Sequence, residues 1–410
     1  MSKIALNNPF ASFKHPNFRL YWIGMNVSLI GSWMQTIALP WLALSITNDP
    51  FKVSIVAVAQ FLPPLFLTLF SGALIDKFDK KKMLLIAQIG LMLVAMIFSF
   101  MVFTNTQTYE KILLFSFMSG VFNSIDAPSR QSIVHDLIDD KKNLPNAIAL
   151  NSMSFNVARI LGPSLAGLVM ALWGVGYCFL INSISFFAII VSLFFIKFKP
   201  FEKSSQLKSD TILYSIKKGL FYVKDRKILL EVLLITLVVA TFIPNYNVTV
   251  SAFVKFNLDG SEKSFGYLMS FLGVGSFFGA FFVALAGRMK LKTIKILPII
   301  TALAVAFMGF TTQFYIIASL LILSGFGFVV TAASINSTLQ LNTDNEFRGR
   351  VMSIYTLFFQ GSTPFGAVYA GYFTNEFGAK WGFFSCGMAV VILLLLLYTL
   401  EKYKTNKKKI

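Results

Sequence analysis

The sequence is poor in the side chains on which most covalent and metal-dependent sites are built. It has two cysteines, Cys178 and Cys386, and both lie in apolar runs, which predicts neither a disulfide framework nor a metal site. Its two histidines, His15 and His135, cannot complete a zinc site with them. No phosphate-binding Gly-x-x-x-x-Gly-Lys-[Ser/Thr] segment, nucleophile elbow or pair of catalytic carboxylates occurs. The sequence therefore predicts a protein that is not an enzyme and that uses neither a metal nor another cofactor.

Charged residues are scarce as well. They make up 13% of the 410 residues, whereas 56% are hydrophobic and 45 are phenylalanine, which excludes an ordinary soluble globular domain. The first apolar run, which starts near Phe18, is too long for a cleavable signal peptide. Since a membrane-spanning helix needs about 20 apolar residues, the apolar runs predict twelve transmembrane helices in an all-α membrane protein. We place them near 18–46, 52–75, 83–104, 110–134, 144–171, 173–197, 228–256, 264–287, 292–312, 313–341, 347–374 and 381–402.

The net charge of +18 is distributed by side of the membrane. Of the 36 lysines and arginines, 30 fall in segments on the side that carries both termini, and Arg159 lies inside a span. The opposite side has only Lys52, Lys111, Lys255, Lys263 and Lys380. Because positive charge is retained on the cytoplasmic side, both termini are predicted to be cytoplasmic. The same segregation argues against a nucleic-acid partner and for a lipid bilayer.

The chain divides into two related halves. We predict a six-helix bundle over 1–197, a cytoplasmic linker with an amphipathic helix over 198–226, and a second six-helix bundle over 227–410. Two bundles of the same topology are typical of transporters with parallel repeats, in which the substrate site lies between the bundles near mid-membrane. The repeat is read from Trp173-Gly174 and Cys178 against Trp381-Gly382 and Cys386, and from Phe155, Gly162 and Gly167 against Phe359, Gly366 and Gly371.

A charged block lies between the second and third spans. It reads Gly72-Ala-Leu-Ile-Asp76-Lys77-Phe-Asp79-Lys80-Lys81-Lys82 and resembles the Gly-x-x-x-Asp-Arg-x-Gly-Arg-[Arg/Lys] loop of the major facilitator superfamily. Lys77 stands for the first arginine and Asp79 for the second glycine. The resemblance implies a cytoplasmic gate in which Asp76 latches onto Arg350 and the start of the eleventh helix. The gate residues are Gly72, Asp76, Lys77, Asp79, Lys80, Lys81 and Arg350.

Further motifs resemble one branch of that superfamily. Asn17-Phe-Arg-Leu-Tyr-Trp22, Phe122-Asn-Ser-Ile-Asp-Ala-Pro-Ser-Arg-Gln131 and Ala158-Arg-Ile-Leu-Gly-Pro-Ser-Leu-Ala-Gly167 are similar to the enterobactin-exporter-like and macrolide-efflux group of drug:proton antiporters. The resemblance spans essentially the whole chain and implies export driven by proton antiport. Gly162-Pro163 and Gly167 resemble the fifth-helix motif of exporters. Pro163 removes a backbone hydrogen bond and permits a bend, and the glycines let a neighbouring helix approach.

Few ionisable residues lie inside the predicted spans. Each costs about 2.5–3.5 kcal/mol at mid-helix on insertion scales and therefore needs a reason. Asp126 and Arg130 lie at i, i+4 in the fourth helix, and Arg159 lies deep in the fifth. Glu231 is expected at the interface. Asp126, Arg130 and Arg159 are either a static structural cluster or a proton-coupling site in which Asp126 exchanges a proton.

The remaining polar candidates lie on the first, fourth, seventh and tenth helices, which line the central cavity in this superfamily. They are Gln35, Asn123, Asn245, Tyr246, Asn336 and Gln340. Most lie among phenylalanine and methionine, which predicts an apolar substrate chamber with sparse hydrogen-bonding groups. Hydrogen bonding between helices is the alternative role for each of them.

The sequence thus predicts a secondary active transporter in the cell membrane. It would act as a monomer and export amphipathic or hydrophobic small molecules, such as drugs, macrolides or siderophore-like compounds, by proton antiport with alternating access. A lipid or lysolipid flippase of the same fold remains an alternative, because it too needs an apolar chamber. A non-transporting membrane sensor or assembly partner is a further alternative.

Overall fold

The computed structural model describes residues 10–196, 218, 220–286, 289–344 and 347–407, and all regular structure within them is helical. A short 3-10 helix, Ala11–Lys14, precedes the first long helix. The first half of the chain contains α1 Pro16–Thr47, α2 Pro50–Lys77, α3 Lys80–Phe103, α4 Tyr109–Ile133, α5 Leu144–Trp173 and α6 Val175–Phe195. The second half contains α7 Lys227–Phe242, α8 Tyr246–Asn257, α9 Glu262–Ala286, α10 Leu291–Met308, α11 Phe314–Leu341, α12 Arg348–Gly361, α13 Thr363–Phe377 and α14 Ala379–Lys407.

Ten of the described segments are long and apolar enough to cross a membrane. They include α1, α3, α6, α9, α10 and α11, and the continuous stretch Lys227–Asn257 that joins α7 and α8. Helix α4 is not among them, since serines, Asn123, Asp126 and Arg130 lower its hydropathy. Helices α12 and α13, of 14 and 15 residues, are each too short for a span. The all-helical class is therefore confirmed, and the count of twelve spans stays a prediction.

Two of the predicted spans are interrupted helices. Between α7 and α8 the chain leaves helical geometry around Pro244. Between α12 and α13 the helical assignment is interrupted at Ser362, two residues before Pro364, although the backbone of Ser362 stays in the right-handed helical region. Proline has no N–H to donate and its ring clashes with the preceding turn, so a helix tends to end just before it. In each case a second helix continues the apolar run.

Helix ends are set by recognisable caps. The Asp79 carboxylate accepts hydrogen bonds from the backbone N–H groups of Lys81 (2.8 Å) and Lys82 (3.3 Å) and so starts α3. Gly174 and Gly378 end α5 and α13 with φ of 92° and 88°, a conformation open to glycine because it has no Cβ. These caps separate consecutive membrane helices with almost no loop.

Gly174 and Gly378 also correct the register of the internal repeat. They are related by an offset of 204, the same offset as Gly162 with Gly366 and Gly167 with Gly371. The offset of 208 that pairs Trp173 with Trp381 is wrong, because Trp173 is the last residue of α5 whereas Trp381 lies inside α14. The match of the Trp-Gly and Cys residues is therefore coincidental, and the glycines define the register of the internal repeat.

The helices cluster into two compact units. The first consists of Met1–Leu39 and Leu62–Leu207, and the second of Pro40–Phe61 and Lys208–Ile410. Within the first, α3 packs against α4 and α6; within the second, α10 packs against α11 and α14, and α9 lies along α11. The packing of α3 in the first half thus has its counterpart in α10 in the second.

The segment Pro40–Phe61 belongs to the second unit although it is the end of α1 and the start of α2. The Trp41 ring stacks on Phe265 with centroids 5.5 Å apart, and Lys255 Nζ donates to the carbonyl oxygen of Leu44 at 2.9 Å. Helix-interior prolines flank this segment, Pro40 in α1 and Pro63 and Pro64 in α2. The predicted bundle boundaries stay a prediction, and the predicted amphipathic helix of 198–226 falls almost wholly outside the described residues.

Candidate functional site

The candidate site is built on α4 in the first unit. Asp126 and Arg130 lie one turn apart, and Arg130 Nε donates to Asp126 Oδ2 at 2.7 Å. Their exposed fractions are 6% and 5%, so the ion pair is buried. An acid that precedes a cation by four residues on a helix has the better orientation for pairing. The predicted contact between these two residues is therefore present.

Helix α3 supplies a third member that the sequence analysis missed. Gln88 is fully buried, and its Nε2 donates to Asp126 Oδ1. It lies on the buried face of α3 with Leu84 and Leu91. Two residues further on, a Cβ added to Gly90 would collide with the ring of Phe122, so this glycine allows α3 and α4 to pack closely. The signal in the sequence was an amide in the middle of an apolar helix face.

Helix α1 completes the surroundings of the pair. Arg130 Nη2 donates to the buried hydroxyl of Ser28 at 3.1 Å. The hydroxyl of Tyr21, also fully buried, lies 3.4 Å from the carbonyl oxygen of Arg130. Side chains from three helices of one unit thus meet around a single carboxylate.

Two polar atoms of this cluster are buried without a hydrogen-bond partner among the described residues. They are the donor Arg130 Nη1 and the acceptor Gln88 Oε1. Buried polar atoms are nearly always paired in native proteins, so each exception calls for an explanation. Here the donor and the acceptor belong to the two side chains that bind Asp126, on either side of its carboxylate.

Arg159, the third predicted member, is half-buried in α5. Among the described residues, the hydrogen bonds and the ion pair of Asp126 are those with Gln88 and Arg130, so the role of Arg159 stays a prediction. The structure therefore joins two of the three predicted residues and adds Gln88, Ser28 and Tyr21.

A second buried acid lies in the other unit. Glu231, expected at the interface, has an exposed fraction of only 6% and forms an ion pair with Lys295 of α10. The Lys295 ammonium also lies 5.5 Å from the centre of the Tyr398 ring. The expected interfacial position of Glu231 stays a prediction, and the pair with Lys295 was not predicted because the partner is on another helix, far away in the sequence.

The predicted gate residues are only partly described. Gly72, Asp76 and Lys77 lie in α2 with side chains outside the described residues, so the predicted latch of Asp76 stays a prediction. Asp79 caps α3; Lys80 pairs with Asp136 at 2.9 Å; and Lys81 Nζ reaches the carbonyl oxygen of Ile196 at 3.3 Å. Arg350 lies in α12, 5.1 Å from the centre of the Phe347 ring.

The predicted exporter bend lies where α5 meets α1. Helix α5 continues through Pro163. A Cβ added to Gly162 would lie 2.3 Å from the Cβ of Trp33, so this glycine lets α1 pack against α5. Gly167 is buried in the same helix. The packing role of Gly162 is thus visible.

Several predicted cavity residues form hydrogen bonds within their own unit. Gln35 accepts from Asn182 Nδ2 at 2.6 Å, and Asn245 donates to the carbonyl oxygens of Thr241 and Phe242 at the α7–α8 break. In α11, Gln340 Nε2 donates to Asn336 Oδ1 at 2.6 Å. Tyr246 is buried at the start of α8, and Asn123 is half-buried in α4. The amide of Gln35 therefore joins α1 to α6, and that of Asn245 satisfies carbonyl oxygens of its own segment.

The described residues form an all-helical structure with ten candidate membrane spans and a buried ion pair. This architecture is that of a multi-span membrane transporter. The chain belongs to the transmembrane secretion effector family of the major facilitator superfamily, whose family model matches residues 7–409. Its fold is shared with a bacterial homologue of the iron transporter ferroportin in the inward-facing state. That structure has a TM-score of 0.71 and 16% identity, and the match covers 94% of this chain and 98% of the other.

Two relatives of this chain are named as a transporter and as an efflux pump. The staphyloferrin A transporter of Staphylococcus aureus is 24% identical over 91% of this chain and 93% of its own length. The multidrug efflux pump Tap of Mycolicibacterium fortuitum is 22% identical over 88% of this chain and 90% of its own length. The resemblance drawn from the motifs is confirmed: this is a membrane-embedded transporter of small molecules, related to efflux and secretion proteins, and not an enzyme.

Proposed function

We propose that this protein exports amphipathic or hydrophobic small molecules in exchange for protons, by alternating access, and that Asp126 carries the proton. The observation that supports the proposal is the buried Asp126 with its two donors, Gln88 and Arg130. A carboxylate enclosed among apolar helices is held ionised by such donors and becomes neutral when they are withdrawn. Efflux relatives support the direction of transport, and the segregated positive charge supports cytoplasmic termini. We take the monomer as the working unit.

The chemistry of the cluster suits reversible protonation. In the ionised state each carboxylate oxygen accepts one hydrogen bond, Oδ1 from Gln88 Nε2 and Oδ2 from Arg130 Nε. A proton on Asp126 removes the negative charge and leaves the Arg130 guanidinium as an uncompensated buried cation. The neutral and charged states of this residue therefore favour different surroundings, which is what coupling to a conformational change requires.

The test is the variant Asp126→Asn in proteoliposomes, with and without a pH gradient. Export of erythromycin, ethidium, staphyloferrin A and lysophosphatidylcholine is measured for each condition. We expect the wild type to export at least one of the first three faster when the gradient is imposed. The variant is expected to bind that compound but to export it at the rate seen without a gradient.

Asp344→Asn is the matched control. Asp344 pairs with Arg226 at 2.7 Å, but both side chains are largely exposed, so the same substitution removes a surface ion pair. It should retain gradient-driven export. If Asp126→Asn couples export to proton entry at the wild-type rate, the buried pair is structural and the proposal fails. Gradient-independent movement of lysophosphatidylcholine alone would instead favour the flippase alternative.

A further inference from the structure

Gln88 is bonded to Asp126 in the way that an ionised carboxylate requires. An ionised carboxylate accepts hydrogen bonds and cannot donate them, so the side-chain nitrogen of Gln88 must point at Asp126 Oδ1. The oxygen of the same amide, Oε1, is then turned away, where it is buried and has no partner among the described residues. The amide thus keeps an unused acceptor beside its used donor.

Protonation of Asp126 reverses this preference. A proton on Oδ1 would face the N–H of Gln88, and two donors cannot bond to each other. Rotation of the Gln88 amide by half a turn brings Oε1 to the same point, where it accepts from the new O–H. The terminal torsion of glutamine has two broad wells, so this rotation needs no backbone movement. On the other side Arg130 stays a donor in either state, which directs the proton to the Gln88 side.

We propose that Gln88 is the positioning residue for the proton on Asp126: by rotation of its side-chain amide, it donates to the ionised carboxylate and accepts from the neutral carboxyl group. The proposal rests on the proposed function of Asp126 and adds a residue that lies outside the motifs. Gln88 acts through Asp126, and the amide oxygen is the acceptor that the neutral state requires. The rotation exchanges the positions of the amide nitrogen and oxygen, so that a change on α4 alters a side chain of α3.

The other groups around Asp126 do not serve this role. Among the described residues, the titratable and charged groups that interact with Asp126 are Arg130 on its own helix and Tyr21 on α1, and the α3 side chain that contacts it is the neutral amide of Gln88. Ser28 on α1 accepts from Arg130 and does not contact the carboxylate. Gln88 is therefore the side chain at Asp126 Oδ1 that can both donate and accept.

The experiment measures the carboxyl band of Asp126 by infrared difference spectroscopy as the pH is changed, in reconstituted protein and without any transported compound. The variant Gln88→Met keeps the length of the side chain and removes the amide. Since the hydrogen bond to the ionised carboxylate is stronger than the one that the rotated amide accepts from the neutral carboxyl group, we expect the protonation midpoint to move about one pH unit higher in the variant. Asp126→Asn identifies the band by abolishing it.

Asn182→Leu is the matched control. Asn182 is another buried amide of the same unit, and it donates to Gln35 at 2.6 Å, where no titratable group is involved. It should disturb packing comparably and leave the midpoint of Asp126 unchanged. An unchanged midpoint in Gln88→Met, or an equal shift in Asn182→Leu, would overturn the inference.

A second measurement uses the wild-type protein and so does not depend on the folding of a variant. With the side-chain amide of glutamine labelled with carbon-13, the amide band should shift at the pH at which the carboxyl band appears. This shift should be absent in Asp126→Asn. A carboxyl band that rises with no change in the amide band would overturn the inference. Because neither readout involves export, a shifted midpoint together with normal coupling in Asp126→Asn would reject the proposed function and keep the role of Gln88.

Discussion

Replacing Arg130 with methionine tests how strongly the buried cation is tied to Asp126. Methionine has a similar length and apolar character, so the change removes the charge without leaving a large cavity. The structure defines what is lost: the 2.7 Å bond from Nε to the carboxylate and the 3.1 Å bond from Nη2 to Ser28. What remains is a carboxylate with one donor, Gln88, in an apolar interior.

The expected magnitude follows from the burial of the pair. Removing one partner of a buried ion pair lowers the free energy of unfolding by about 3–5 kcal/mol, because the other charge is left uncompensated. Loss of the bond to Ser28 is included and contributes about 1 kcal/mol. The double variant Asp126→Asn, Arg130→Met removes both charges, and replacement of a whole buried pair is often close to neutral. We therefore expect the double variant to recover most of the loss.

The assay is reversible unfolding in mixed micelles, by titration with dodecyl sulfate, of the wild type, the two single variants and the double variant. The exposed pair Arg226 with Asp344, replaced by methionine and asparagine, is the control cycle and should give a coupling energy of about 0–1 kcal/mol. A coupling energy below about 1 kcal/mol for Asp126 and Arg130 would refute the reasoning.

Two further predictions concern packing in the second unit. Gly275→Ala in α9 should lower the unfolding free energy by about 1–3 kcal/mol, because its Cβ would lie 2.0 Å from a backbone carbonyl oxygen of α11; an unchanged thermal midpoint would contradict this. Lys255→Met removes the cation from the carbonyl of Leu44 at the end of α1, a contact worth about 0.3–1 kcal/mol. Hydrogen exchange in the segment Pro40–Phe61 should become faster, whereas Lys263→Met, which removes another lysine of this unit, should leave it unchanged.

The sequence predicts well what depends on neighbours along the chain. Helical spans follow from runs of apolar residues, and the Asp126–Arg130 pair follows from a spacing of four on one helix. The cap at Asp79 is equally local, although it was not predicted. Such features need no knowledge of which helices touch.

Contacts between helices were the part that could not be predicted. Gln88 reaches Asp126 from α3, and Lys295 reaches Glu231 from α10, in each case because two helices pack face to face. Nothing in the local pattern separates such a Gln from an amide that bonds to another amide, as Asn182 does. The polar character of a position is visible in the sequence, but its partner is a property of the packing.

The placement of Pro40–Phe61 in the second unit was missed for a related reason. The apolar runs of α1 and α2 are continuous, so periodicity indicates two uninterrupted helices of the first bundle. The two compact units instead divide α1 and α2 near their prolines. Those prolines are visible in the sequence, but the prediction of two halves did not take them into account. A segment that is local to one half of the chain therefore packs with the other half.

The geometry of the cluster also restricts how Asp126 takes part in coupling. Asp126 and Arg130 are on one helix, so no movement of helices relative to each other separates them. Gln88 and Ser28 lie on α3 and α1, and all four residues belong to the same compact unit. Movement of that unit as a rigid body would leave every contact in the cluster as it is. In the proposed coupling, these contacts alone would not respond to a rigid-body movement, and the rotatable amide of Gln88 is a contact on the carboxylate that can change without movement of the backbone.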